Sequence, residues 1–140
     1  YNPSHWDGST LTPLTLPAGS AGARPYGISD AGVIVGNADF FDPVWGNVDR
    51  AVYWQNGQVS YIPTLGGASS SAKGIDNVTG WIVGHGTTNG LSATRAWVFD
   101  GTALRELVTQ HPGASVAYAS NSGLIVGQSR SASGAVHATI

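Results

Sequence analysis

The residues best equipped for chemistry in this chain are its tryptophans, Trp6, Trp45, Trp54, Trp81 and Trp97. An aromatic ring stacks on the apolar C–H face of a pyranose, while neighbouring Arg, Asp and Asn side chains take the hydroxyls. Trp45, Trp54, Trp81 and Trp97 are therefore candidate ligand-binding rings. Arg50, Arg95 and His137 open three similar segments, Arg50-Ala51-Val52-Tyr53, Arg95-Ala96-Trp97-Val98 and His137-Ala138-Thr139-Ile140, and are candidate polar contacts. Equivalent positions imply one site per copy, and several weak sites together give avidity. The competing reading makes Trp6, Trp54 and Phe99, which share one repeat position, packing residues between units. In that reading Arg50 and Arg95 cap a strand end or hold a surface carboxylate such as Asp49.

Phe40, Phe41 and Trp45 crowd the longest loop, Asn37 to Asn47, which has no counterpart in the other copies. Exposed rings in such a cluster call for a partner, so the loop either folds back as a lid or stacks on a ligand. Asp39, Asp42 and Asp49 flank the same rings. Unlike Asp30, Asp76 and Asp100, they have no evident turn role, and two of them could form the carboxylate pair of a glycoside-cleaving enzyme.

Other chemistry finds little footing. His5, His85, His111 and His137 show no His-x-x-His or His-Glu-x-x-His spacing, which leaves no local zinc signature. There is no Gly-x-Ser-x-Gly elbow. Asp39 and Asp42 lack the spacing of a calcium loop. With no cysteine, thiol catalysis, thiolate metal sites and disulfides are all excluded. No catalytic residue, metal or cofactor is expected.

The six Lys and Arg residues are scattered and the net charge is −2, so the basic stripe that nucleic acid requires is absent. No apolar run approaches the ~18 residues of a membrane span. A chain with one lysine, no cysteine and abundant Gly, Ser, Thr and Asn has the composition of bacterial extracellular proteins, so a secreted location is expected. The absence of methionine points to a processed mature protein, an excised segment or a tag-cleaved product.

The elements that must position these residues are repeated. Gly27-Ile28-Ser29-Asp30-Ala31-Gly32-Val33-Ile34-Val35-Gly36 returns as Gly74 to Gly84 with one insertion, and again as Tyr118 to Gly127. The interval, roughly 45 residues, marks a repeat architecture. Val33-Ile34-Val35, Trp81-Ile82-Val83 and Leu124-Ile125-Val126 suit a buried pleated surface. Turns rich in Asp, Asn, Ser and Gly precede them. Arg50 to Trp54 and Arg95 to Phe99 run into Asn56-Gly57 and Asp100-Gly101, strong hairpin signals. Half-exposed strands follow at Gln58 to Ile62 and Ala103 to Leu107. Four strands per unit are thus predicted.

These motifs are specific enough to suggest a family. Gly-Ile-x-Asp-x-Gly-x-x-Val-Gly, followed by an Arg/His-Ala-aromatic strand, Trp-x-x-Gly and Leu-Gly-Gly, resembles the bacterial extracellular HAF repeats. The best copy spans Tyr26 to Gly67, and His137-Ala138-Thr139 stands where the name-giving triplet stands. In the third copy, Tyr118 takes the place of the Gly and Ala119 that of the Ile. The resemblance implies a secreted β-repeat protein and no defined activity.

The expected fold is all-β, a single domain over 1–140 with repeats at about 22–67, 68–114 and 115–140. Residues 1–21, where Trp6-Asp7-Gly8 matches Trp54 to Gly57, would complete the third repeat. Four-stranded units of this length suit a β-propeller, with two chains closing a six-bladed ring as a homodimer or the chain belonging to a longer array. A β-trefoil is the alternative. The expected function is non-enzymatic, lectin-like binding of carbohydrate. A structural segment of a larger extracellular repeat protein is the second reading, and a small polysaccharide-acting enzyme the third.

Overall fold

The structure, a computed structural model, describes residues 1–90 and 92–140. Among these residues there is no helix, and every sheet is antiparallel. An N-terminal hairpin pairs β1 (Ser4–Trp6) with β2 (Leu11–Pro13). Sheet I comprises β3 (Gly22–Ile28), β4 (Ile34–Asp42), β5 (Gly46–Gln55) and β6 (Gln58–Tyr61). Sheet II repeats this meander with β7 (Ser70–Ile75), β8 (Ile82–Thr87), β9 (Thr94–Phe99) and β10 (Leu104–Glu106). Sheet III has β11 (Ser115–Asn121), β12 (Leu124–Arg130) and β13 (Val136–Thr139). The sheets are open, so the shared barrel that a β-trefoil demands is not formed.

Sheets I and II bury both faces against neighbours, as the β-branched and aromatic triplets require, whereas sheet III is covered on one face and leaves Leu124, Val126 and Val136 exposed. Ile34, Ala38, Val52 and Trp54 of sheet I pack with Leu14 and Leu16, which follow the hairpin. Val35, Ala51 and Tyr53 point the other way and meet Ala72, Ile82, Trp97 and Phe99 of sheet II. Val83, Ala96 and Val98 in turn meet Ala117 and Ile125 of sheet III. Strand alternation thus assigns each sheet one backward and one forward face.

The recurring Gly36, Gly84 and Gly127 have one steric cause. The first strand of every sheet carries a bulge, at Tyr26, Lys73 or Tyr118. The bulged strand pushes a carbonyl onto the second strand. A Cβ on Gly36, Gly84 or Gly127 would lie 2.1 Å from the carbonyl oxygen of Arg24, Ser71 or Val116. Only glycine leaves that space.

A second repeated device joins the sheets. The Ala51 N–H donates to Ser70 Oγ (2.9 Å), and the Ala96 N–H donates to Ser115 Oγ (2.9 Å), tying each third strand to the next sheet. At the hairpin the equivalent residues are Pro3 and Ala23. Proline has no N–H and alanine no hydroxyl, so donor and acceptor vanish together and neither is left unpaired. At the turns, Asn77 Oδ1 accepts the Asp30 N–H of sheet I (2.8 Å). The fully enclosed Asp76 accepts Ser120 Oγ–H (2.8 Å) and the Gly123 N–H (2.9 Å) of sheet III.

The register corrects two sequence expectations. The third turn is a two-residue hairpin, Ser122-Gly123, with both residues at positive φ (52° and 83°). It is shorter than its counterparts, so Tyr118 aligns with the bulge residues Tyr26 and Lys73, and Ala119 with Gly27 and Gly74. Residues 1–21 also do not complete sheet III within the chain. The Leu14 N–H bonds to the Pro3 carbonyl as Ile62 bonds to Ala51 and Leu107 to Ala96. Ala138, opposite Gln128, holds the same place that Ala51 holds opposite Asn37. Strands β1 and β13 therefore occupy one and the same repeat position, and the hairpin forms a sheet of its own.

Candidate functional site

The seven residues singled out by sequence fall into different surroundings. Trp54 (2% exposed) and Trp97 (0%) are core residues, and neither ring offers a face to a ligand. Trp54 donates its indole N–H to the Thr15 carbonyl (2.7 Å), which anchors the segment after the hairpin. Trp97 fills the space left by Gly84, where a Cβ would meet the indole at 2.8 Å. Alternation along the third strand sends both rings to the backward, buried face. Trp81 is partly buried against sheet III, and the Arg105 guanidinium already lies 5.8 Å above its ring.

Arg50, Arg95 and His137 share a repeat position without sharing a site. Arg50 lines a shallow recess beside Phe41 and Tyr61. Arg95 is spent on Glu106 (3.4 Å) and on the Gly113 carbonyl. His137 stacks on His111 with ring centroids 4.2 Å apart. The carboxylate expected to hold one of these arginines, Asp49, is taken by Arg24 instead.

The polar residues that do converge lie at the mouth of the seam between sheets I and II. The long β4–β5 hairpin sets Asp39 directly opposite Asp49 on the forward face, with Arg24 opposite Asn37. Arg24 Nη1 is 2.7 Å from Asp39 Oδ1 and 3.7 Å from Asp49 Oδ1, so one guanidinium clamps both carboxylates. Tyr1 covers Arg24, its ring centroid 4.7 Å from Cζ. Ser69 Oγ accepts the Asp49 N–H (3.2 Å) from the sheet II side. Burial, and then the neighbouring Asp39, push the Asp49 carboxyl above the ordinary carboxylate range, against the pull of Arg24. Beneath them Asn37 is fully buried with neither amide atom hydrogen-bonded.

Arg24, Asp39, Asp49 and Ser69 line a cleft of about 360 Å³ with Phe41 at its rim, a size typical of small-ligand sites. Phe41 is 76% exposed, whereas Phe40 packs on Tyr61 with centroids 6.0 Å apart. At the hairpin tip, Asp42 Oδ1 accepts the N–H groups of Val44 (2.8 Å) and Trp45 (3.1 Å). Asp42 therefore has a turn role and leaves Asp39 and Asp49 as the carboxylate pair. Trp45 leans across the seam onto Gly90, where a Cβ would meet its ring at 2.5 Å, yet remains 47% exposed. The loop thus folds back at Trp45 and presents a free ring at Phe41.

A neighbouring recess shares Asp49 and Ser69 and runs to His85. Burial, and then the Lys73 charge, hold His85 down at about 4, and its Nδ1 has no hydrogen-bond partner. The sequence reading missed Arg24, Ser69 and His85. Arg24 looked like an isolated cation because its carboxylates are cross-strand neighbours, not sequence neighbours.

No family model matches the chain, and neither the curated proteins nor the solved structures provide a match. The likeness to HAF repeats rests on the chain's own residues.

Proposed function

We propose that the protein is a secreted, non-enzymatic carbohydrate-binding module whose sugar site is the Arg24–Asp39–Asp49 cleft. We read sheets I to III as propeller blades. The recurring first-strand bulge, its opposing glycine and the serine bridge between sheets support that plan. Low charge, the absence of cysteine and the HAF-like motifs support an extracellular setting.

One observation carries the binding reading: two carboxylates clamped by one guanidinium sit under an exposed phenyl ring. Carboxylates accept paired hydrogen bonds from vicinal hydroxyls, Arg24 donates, and Phe41 offers a face for the C–H side of the ring. A glycan array on the folded protein tests it. At least one hit is expected, weakened about fivefold by Phe41→Ala and less by Trp45→Ala, as for loss of a partly exposed contact. A flat array across diverse glycans rejects the reading.

A glycan-cleaving enzyme is favoured by one feature, the raised Asp49 carboxyl beside Asp39, since glycoside hydrolysis needs one protonated and one ionised acid. Release of reducing sugar that Asp49→Asn abolishes would establish that reading over simple binding.

A further inference from the structure

The three first-strand bulges do more than displace a carbonyl. A bulge re-aims the side chain of its extra residue, and these residues are Tyr26, Lys73 and Tyr118, one per sheet. The first strands touch at this level. A Cβ on Gly27 would meet the Gly74 Cα at 3.5 Å, and one on Gly74 would meet the Tyr118 carbonyl oxygen at 2.8 Å. The three bulge residues therefore form a row along the inner edge of the stacked sheets. Tyr26 and Tyr118 are 46% and 47% exposed. Lys73 Nζ lies 3.8 Å from the Tyr26 ring centroid. Among the described residues no carboxylate is within ion-pairing distance of it. The row adjoins the cleft, because Tyr26 follows the cleft residue Arg24 by two positions on β3.

Neutral sugars have no use for an unpaired ammonium between two phenols. We propose that the row makes the site selective for acidic glycans: a uronate places its carboxylate on Lys73 while a neighbouring pyranose lies against Tyr118. The inference rests on the carbohydrate reading of the adjoining cleft and names its ligand class. A single cation between aromatic rings matches one carboxylate per sugar. It does not match the phosphate ladder of a nucleic acid, which needs several cations in line.

Calorimetric titration with matched oligosaccharide pairs tests it: galacturonan against galactan, mannuronan against mannan, and an oligothymidylate as a generic polyanion. At least one uronate is expected to bind about fivefold tighter than its neutral partner, the scale of one exposed ion pair. Lys73→Gln is expected to abolish that preference while leaving the neutral affinity and the far-ultraviolet spectrum unchanged. Equal affinities within every pair, a preference that survives Lys73→Gln, or equally tight oligothymidylate binding would overturn the acidic specificity and leave the cleft reading intact. Binding of neither member of any pair would overturn the acidic specificity too, and only a flat array across diverse glycans would remove the cleft reading with it.

Discussion

Sheets I and II run the same meander with the same bulge and opposing glycine, yet among the described residues only sheet I holds two carboxylates on one guanidinium. The register shows where they part. The cross-strand pairs Arg24–Asn37 and Asp39–Asp49 of sheet I correspond to Ser71–His85 and Thr87–Thr94 of sheet II. The three charged residues have given way to hydroxyls, and the Asn37 amide to the His85 imidazole. Thr87 Oγ1 spends its hydrogen bond on the Gly90 carbonyl (2.6 Å), closing a local turn. In sheet I the same level of the strands continues into the long β4–β5 hairpin, which carries the aromatic rings over the cleft. The repeat supplies a scaffold three times. Chemistry is added once, at four frame positions and one lengthened hairpin.

The largest effect should come from the feature that the sheets share. Gly84→Ala puts a methyl 2.1 Å from the Ser71 carbonyl and 2.8 Å from the Trp97 ring, whereas the atoms nearest a Gly36→Ala methyl in sheet I are backbone atoms of Arg24 and Pro25. Urea unfolding should show a loss of about 3 kcal/mol for Gly84→Ala and a smaller loss for Gly36→Ala, the scale of overpacking in a close-packed region. Equal losses would mean that the indole yields freely.

The site itself should respond only on the sheet I side. Arg24→Gln removes the clamp and should weaken glycan binding roughly tenfold, as expected for a charge-assisted contact. The equivalent Ser71→Ala should leave binding unchanged. It should also keep or slightly raise stability, because Ser71 Oγ is buried without a partner to lose. Loss of binding in Ser71→Ala would move the site into sheet II.

The last effect is the pH dependence that His85 adds in sheet II. His85 is held at about 4, below its ordinary value of 6.5. Between those values the unfolded chain binds the extra proton and the folded chain does not, so this residue makes stability fall as pH drops from about 6.5 towards 4. His85→Asn copies Asn37 of sheet I and should flatten that limb of the denaturation midpoint against pH. A limb unchanged in the variant would place its origin elsewhere.

Much of the scaffold was legible because strands and turns are written locally. The Val-Ile-Val triplets, the Asn-Gly and Asp-Gly hairpins and the period of the glycines predict the meanders of sheets I and II. The same reading misjudged Tyr118, because a two-residue turn and a longer one look alike until a bulge reveals the register. It placed Trp54 and Trp97 in a binding site, since composition cannot say which face of a strand is covered. It set residues 1–21 beside sheet III by matching Trp6 to Trp54. The backbone bonds of Leu14 and Ala138 show that both tails hold the same strand position.

By itself the sequence determined the all-β repeat and the hairpins of sheets I and II, since these follow from side-chain period and turn chemistry. Only the tertiary structure decided that Arg24, Asp39 and Asp49 meet, that Trp97 is core and that Tyr26, Lys73 and Tyr118 form a row. Those relations depend on cross-strand register and on sheets packing face to face, which bring together residues far apart in the chain.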